Sequence, residues 1–192
     1  MKNLLTKIGK NSKKAFSLQI ETKKKDKVLK DYYLLIKKNK NLIIKENKKD
    51  IQNAYKKKIK RNLVDRLILN EKRILDITNS IKKIIKLKDP TNVILEKWKR
   101  PNGLRIAKVS IPLGVIGVIY ESRPNVTSDV ASLCFKSGNS VILKGGSEAF
   151  YTNYLLSKLF RKSLKKNGVD ANFVQFINIK KRSVVDLMLT GM

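Results

Sequence analysis

Two short polar turns carry most of the chemistry available to this chain. The first is Glu121–Ser122–Arg123–Pro124–Asn125 and the second is Lys144–Gly145–Gly146–Ser147. Arg123 offers a guanidinium that pairs bidentately with a carboxylate or a phosphate, and Asn125 offers an amide able to donate to a developing oxyanion. Gly145 and Gly146 allow a ligand close to the backbone, and Ser147 at a helix start suits an anion. Each turn follows an apolar strand, the first of them read as buried. In open α/β sheets ligands bind outside the carboxyl ends of the strands. On these residues alone the reading is a ligand site in an α/β domain, and Gly–Gly–Ser does not by itself name the ligand.

The absent residue types are as informative. The 192 residues hold one cysteine and no histidine, so an internal disulfide, a thiolate–imidazole metal site and a Ser–His–Asp triad are all excluded. No metal is expected. Cys134 shares an apolar helical stripe with Val126, Val130 and Leu133, at i, i+4, i+7 and i+8. A thiol on such a stripe behaves as a small buried hydrophobe, with its pKa pushed up, and is not expected to be a nucleophile.

The elements that must position the two turns follow from periodicity. Residues 1–90 read as a helical region. Val28, Leu29, Tyr32, Leu35 and Ile36 share one face, and a second helix runs from an Asn70 N-cap through Ile74, Ile77, Ile81 and Ile84 to a stop at Asp89–Pro90. Residues 91–110 form a β-hairpin, in which Val93–Arg100 and Leu104–Ser110 flank Pro101–Asn102–Gly103. Residues 111–192 alternate apolar strands with helices, the pattern of a parallel sheet covered on both faces. Strands are expected at the end of the run Val109–Tyr120, at Ser140–Lys144 and at Phe173–Ile179. Helices are expected over Val126–Ser137, Tyr151–Asn167 and Arg182–Leu189, with Gly138 and Gly168 at C-caps. The sequence stops at Met192, where a further strand is expected, so the sheet is expected to be unfinished.

The formal net charge is +29, from 44 Lys and Arg against 15 Asp and Glu. Such a balance fits a nucleic-acid or anionic-membrane surface. However, the charge is nearly all lysine, in short runs such as Lys23–Lys24–Lys25 and Lys56–Lys57–Lys58 spaced between apolar residues. Nucleic-acid readers rely more on arginine and interleaved aromatics, so these runs are read as solvated faces and nucleic acid is not the expected partner. The longest uncharged apolar run, Ile111–Tyr120, is about half of the roughly 20 residues a membrane helix needs. Met1–Phe16 contains no signal-peptide block, and the cytoplasm is the expected location.

The run Gly117–Thr127 (GVIYESRPNVT), with Lys136–Asn139 (KSGN) and Gly145–Ala149 (GGSEA), resembles the gamma-glutamyl phosphate reductase family of the aldehyde dehydrogenase superfamily. Asn47–Lys48–Lys49–Asp50 is similar to its N-x-x-D, Asp65–Arg66–Leu67 to its DRL and Asp89–Pro90 to its DP. Nearly the whole chain is covered, but only about the first half of the family's length. The resemblance implies an α/β, aldehyde-dehydrogenase-like fold: N-terminal helices, an oligomerisation-type hairpin and part of a Rossmann-like NADP-binding domain, without the catalytic domain. It implies NADPH-dependent reduction of L-glutamyl 5-phosphate to L-glutamate 5-semialdehyde in proline synthesis, by a cysteine that lies downstream in the family, and a homo-oligomer at full length. Asn125 then aligns with an oxyanion-stabilising asparagine, against the alternative of an Asx-type turn residue. Arg123 stands where relatives carry tryptophan and meets either the substrate's acyl phosphate or carboxylate, or a structural partner in Glu121 or Asp129. Lys144 aligns with a lysine along the adenosine ribose, against the alternative of a solvated strand end, and Gly145, Gly146 and Ser147 complete the cofactor turn. Ser147 replaces a ribose-binding glutamate, which favours a 2′-phosphate, an argument that weakens if Glu148 turns inward.

Two other readings compete with a first-half reductase that is inactive alone. One is a split enzyme completed by a cysteine-bearing partner. The other is a non-catalytic basic binding protein on the same fold. The last predicts that binding of the purified chain to duplex DNA falls steeply on a log–log plot against salt; weak or salt-flat binding is the expected result and removes it.

Overall fold

The computed structural model describes residues 1–190; Met192, where a further strand was expected to follow, lies outside them. The chain opens with five helices, α1 (Lys2–Phe16), α2 (Thr22–Lys38), α3 (Lys40–Lys56), α4 (Arg61–Leu67) and α5 (Glu71–Lys86). The start of α5 is set by Asn70, whose side chain accepts from the Arg73 N–H at 2.9 Å, and its apolar stripe Ile74, Ile77, Ile81 and Ile84 is buried. The antiparallel pair β1 (Ile94–Lys99) and β2 (Arg105–Val109) follows, with Gly103 at φ +88° in its turn. Then come β3 (Val115–Tyr120), α6 (Pro124–Lys136), β4 (Ser140–Gly145), α7 (Phe150–Lys166), β5 (Val174–Phe176) and α8 (Ser183–Leu189). Gly138 and Gly168 take up φ +75° and +63° and end α6 and α7.

Strands β3, β4 and β5 form a parallel sheet in that order. Central β4 is buried throughout and alternates its contacts. Val141 and Leu143 join a core with Tyr32, Phe135, Phe160 and Phe173, and Ile142 faces Leu5, Ile177 and Val184. Helices α6 and α7, backed by α2, α3 and α5, therefore cover one face, and α1 and α8 cover the other.

Several details differ from the sequence reading. The third strand, Val174–Phe176, is shorter than Phe173–Ile179 at both ends. At its start the Asp170 carboxylate accepts from the Asn172 N–H at 2.8 Å and draws 171–173 into a 3-10 turn. Beyond Phe176 only the Ile177 N–H still reaches β4, donating to the Leu143 carbonyl at 2.9 Å. Strand β3 is half-exposed, not buried, because one of its faces is poorly covered: Val115 and Ile119 face outward while Ile116, Val118 and Tyr120 pack inward. On α6 the buried face is Thr127, Ser128, Ala131, Cys134 and Phe135, and Leu133 points to solvent. Lys25, from a run read as solvated, is 2% exposed. Its ammonium donates to Asp89 at 2.7 Å, to Thr91 Oγ1 at 3.2 Å and to the Lys136 carbonyl at 3.4 Å. Lys136 is buried too, paired with Asp26 and donating to the Ile85 carbonyl at 3.0 Å.

Burial opposes ionisation of Asp89, but donation from Lys25, Thr22 and Thr91 outweighs it and holds the carboxyl well below the usual carboxylate range. A depressed folded-state pKa stabilises the fold above the ordinary value of 3.8, and that contribution is lost as pH falls toward the folded-state value. Asp89→Ala, which strands a buried ammonium, should cost about 3–5 kcal/mol in urea unfolding at pH 7. The gap between it and the native chain should narrow as pH is lowered below 3.8; a gap that does not depend on pH would contradict this account.

Candidate functional site at the ends of two parallel strands

Register places the two turns side by side. Ile119 lies opposite Lys144 and Tyr120 opposite Gly145, so β3 and β4 release their turns at one edge of the sheet. Pro124 occupies the first position of α6, where its missing N–H costs nothing. The helix is then fastened from both sides. The Tyr120 and Thr127 hydroxyls are 2.6 Å apart, the Thr127 hydroxyl is 2.9 Å from Asn153 Oδ1, and the Tyr32 and Ser128 hydroxyls are 2.7 Å apart.

Gly145 is required by space. A Cβ there would lie 2.4 Å from Asn153 Nδ2 and 3.1 Å from the Tyr120 ring. At Gly146 the only close atom is the far end of Glu148, 2.6 Å from the would-be Cβ. Glu148 bridges the turns: its carboxylate accepts from Ser147 Oγ at 2.8 Å and from Ser122 Oγ at 3.3 Å. It has turned inward, so Ser147 in place of a glutamate does not by itself leave this turn free of a carboxylate. Lys144 is 5% exposed and not a solvated strand end. Its ammonium donates to the Gly145 carbonyl at 2.9 Å, and burial lowers its pKa against the opposing charge of Glu148.

Asn125 and Arg123 are exposed at the opening of α6. The Asn125 amide donates to Asp129 Oδ2 at 3.2 Å, one turn along the helix, in place of the Asx turn held open as the alternative. Arg123 forms no ion pair with Glu121 or Asp129 among the described residues. Both side chains line a cleft of about 460 Å³ together with Arg66, Arg73 and Asp76 from α4 and α5. Cys134 stands apart from it, 8% exposed, its thiol pushed up to about 11 by burial.

The pair Asn47 and Asp50, both buried, fixes the far side. Asn47 donates to the Leu67 carbonyl at 2.8 Å and accepts from the Leu69 N–H at 2.7 Å. Asp50 accepts from the Tyr151 and Thr152 N–H groups at 3.0 and 2.8 Å, and from the Thr152 hydroxyl at 2.7 Å. It thereby satisfies the opening turn of α7, the helix entered from Gly–Gly–Ser. Burial raises its pKa against those donors.

No family model matches the chain. The gamma-glutamyl phosphate reductase of Thermodesulfovibrio yellowstonii is 42% identical over 187 residues, covering 96% of this chain and 45% of that protein. The chain belongs to the gamma-glutamyl phosphate reductase family. It spans less than half the length of the curated reductases it matches. The crystal structure of the Thermotoga maritima reductase superposes with a TM-score of 0.91 at 37% identity, over 94% of this chain and 44% of that one. A putative aldehyde dehydrogenase from Bacillus subtilis superposes at 0.69 with 16% identity, over 99% of this chain and 39% of that one. That likeness extends the fold beyond the reductases to the aldehyde-dehydrogenase type.

Gly145 and Gly146 should respond differently to a methyl group. Gly145→Ala must displace the buried, hydrogen-bonded Asn153 and should cost about 1–3 kcal/mol. Gly146→Ala needs only a shift of Glu148 and should cost under about 1 kcal/mol. Thermal denaturation of the two variants checks this, and equal losses would refute it.

Proposed function

We propose that this chain supplies the cofactor turn and the oxyanion donor of an NADPH-dependent reductase, which converts L-glutamyl 5-phosphate to L-glutamate 5-semialdehyde with release of phosphate, as in proline biosynthesis. The observation that supports the reading is the shared edge of the two turns. The β3–β4 pairing sets Tyr120 opposite Gly145, so the turn that carries Arg123 and Asn125 and the turn that carries Gly145 and Gly146 leave the sheet at one level, each within a stretch that resembles the reductases.

A nicotinamide dinucleotide fits the second turn. Lys144 is a buried cation whose hydrogen bond goes to its own turn's carbonyl, suited to ribose hydroxyls or a phosphate. The space beside Gly145 is taken by Asn153 and Tyr120, and a ligand reaches the turn at Gly146 only as the Glu148 side chain moves aside. The bound cofactor would supply a hydride. Support for the 2′-phosphate form comes from Lys144 and the family, while inward Glu148 works against it. In the first turn, the Asn125 amide leaves Asp129 and donates to the oxyanion that develops at the acyl carbon. Its place in the opening turn of α6 adds the positive end of the helix dipole. Arg123, free of any ion pair, neutralises the departing phosphate.

A cysteine thiolate must attack the acyl phosphate and release phosphate, and Cys134 does not provide it. We place that nucleophile outside these residues. The hairpin is the proposed edge of assembly: Ile94, Leu95, Trp98, Leu104 and Val109 are all exposed on it, an apolar strand surface that calls for a partner.

The 192-residue chain alone should oxidise no NADPH with L-glutamyl 5-phosphate. Joined to the second half of the Thermotoga maritima reductase, it should turn over, with NADPH preferred to NADH. In that chimera Asn125→Ala should lower kcat about 100-fold with little change in KM. A folded chimera without turnover, or a loss under threefold in the variant, would overturn the assignment.

A further inference from the structure

Resting on the reductase reading, we infer that the cleft between α4, α5 and α6 holds the amino-acid end of the substrate, with Asp76 and Asp129 receiving an α-ammonium and Arg66 an α-carboxylate. The cleft, about 460 Å³, opens at Asn125 and Arg123 and runs down the facing sides of α5 and α6. Some of its charges already satisfy one another. Arg73 donates to Asp65 Oδ2 at 3.1 Å, to the Ile68 carbonyl at 2.9 Å and to the Asp65 carbonyl, so both residues are committed to holding α4 on α5.

The remainder are uncommitted. Arg66, Arg123 and Asp76 form no ion pair among the described residues. Asp129 gives one oxygen to Asn125, while the other, Oδ1, is shielded from solvent and has no hydrogen-bond partner. A shielded carboxylate oxygen without a donor is unfavourable and is relieved by a bound cation. Two carboxylates facing one cleft would repel a ligand that carried only anionic groups. A cleft with free guanidinium and free carboxylate groups together fits a zwitterion.

Spacing agrees with a substrate anchored at one end. Asp129 lies one helical turn, about 5.4 Å, beyond Asn125, which separates the ammonium site from the reacting carbonyl by the length of a short side chain. Arg66 also lines a second cavity, of about 220 Å³, with Arg123. The two guanidiniums therefore stand at a shared wall, Arg123 toward the acyl phosphate and Arg66 toward the carboxylate.

Isothermal titration of the 192-residue chain tests the subsite with L-glutamate and with glutarate, which lacks only the ammonium. L-glutamate should bind at least about tenfold more tightly. Asp76→Asn should abolish that preference without weakening glutarate, and Arg66→Gln should weaken both ligands. Equal affinities in the native chain, or no binding of L-glutamate, would overturn the inference, and neither measurement depends on a variant folding. Turnover by the chimera without this discrimination would remove the subsite and leave the reductase reading standing. Discrimination without turnover would support the subsite and remove the reductase reading.

Discussion

The parallel pairing of β3 with β4 sets Tyr120 opposite Gly145, and both turns inherit their positions from that register. A slip of one residue would invert every side chain on β4. It would drive Ile142 into the face that holds Val141 and Leu143, and would separate Lys144 from the level of Ile119. The register is held by more than backbone bonds. Gly145 leaves room for Asn153 and the Tyr120 ring, and the Tyr120–Thr127–Asn153 contacts tie β3, α6 and α7 together at that level. The loop after β3 and the loop after β4 are thus joined twice, below by this polar chain and above by Glu148 reaching both serines.

Around that junction the fold uses buried polar anchors where a more apolar sequence would use packing alone. Lys25 with Asp89 locks the α5–β1 connection onto the end of α6, and Lys136 with Asp26 locks α6 onto α2. Asn47 holds α3 against the end of α4 and, with Asp50, against the opening of α7. Lys25, Lys136, Asn47 and Asp50 are buried and satisfied, so each is more costly to strand than its net contribution would suggest. They are directional, which apolar contacts are not, and they fix the angles at which α6 and α7 leave the sheet.

Much of the architecture was legible in residue order, because strong local signals were present. Asn70 as a cap, and Gly138 and Gly168 past helix ends, each act through their own backbone or side chain, whereas α6 begins two residues before the expected Val126, with Pro124 in its first turn. The parallel order of the strands followed from their alternation with helices. What escaped was set by neighbours. Nothing local distinguishes Lys25 from Lys23 or Lys24; only Asp89, 64 residues away, does. The true face of α6 was missed because its buried side is rich in Thr and Ser, of which Thr127 and Ser128 are paired by Tyr120 and Tyr32. The turns of the candidate site were visible as glycine and polar clusters, but Arg66, Asp76 and Asp50 sit on helices that join it only through tertiary packing.

A better signal lay in the rarer charge. With 15 acidic residues against 44 basic ones, a lysine at any position says little, whereas each carboxylate is a scarce resource whose placement discriminates. Asp89 and Asp26 meet buried ammonium groups, Asp31 receives Lys166 and Asn167, Asp50 receives the start of α7, and Asp65 receives Arg73. The first two offset the burial of an ammonium and the Asp50 contact the burial of helix N–H groups, whereas Arg73 and Lys166 are exposed and their pairs contribute little. Asp76, one oxygen of Asp129 and the Glu148 carboxylate have no such structural creditor among the cations. Asp76 and Asp129 line the cleft between α4, α5 and α6 and Glu148 spans the two turns, whereas Glu21, Asp170 and Asp186, which form no ion pair among the described residues either, lie away from both. A chain this basic attracts anions without assistance; on the proposed reading Asp76 and Asp129 sort among them, admitting those that also carry a positive charge and resisting those that do not.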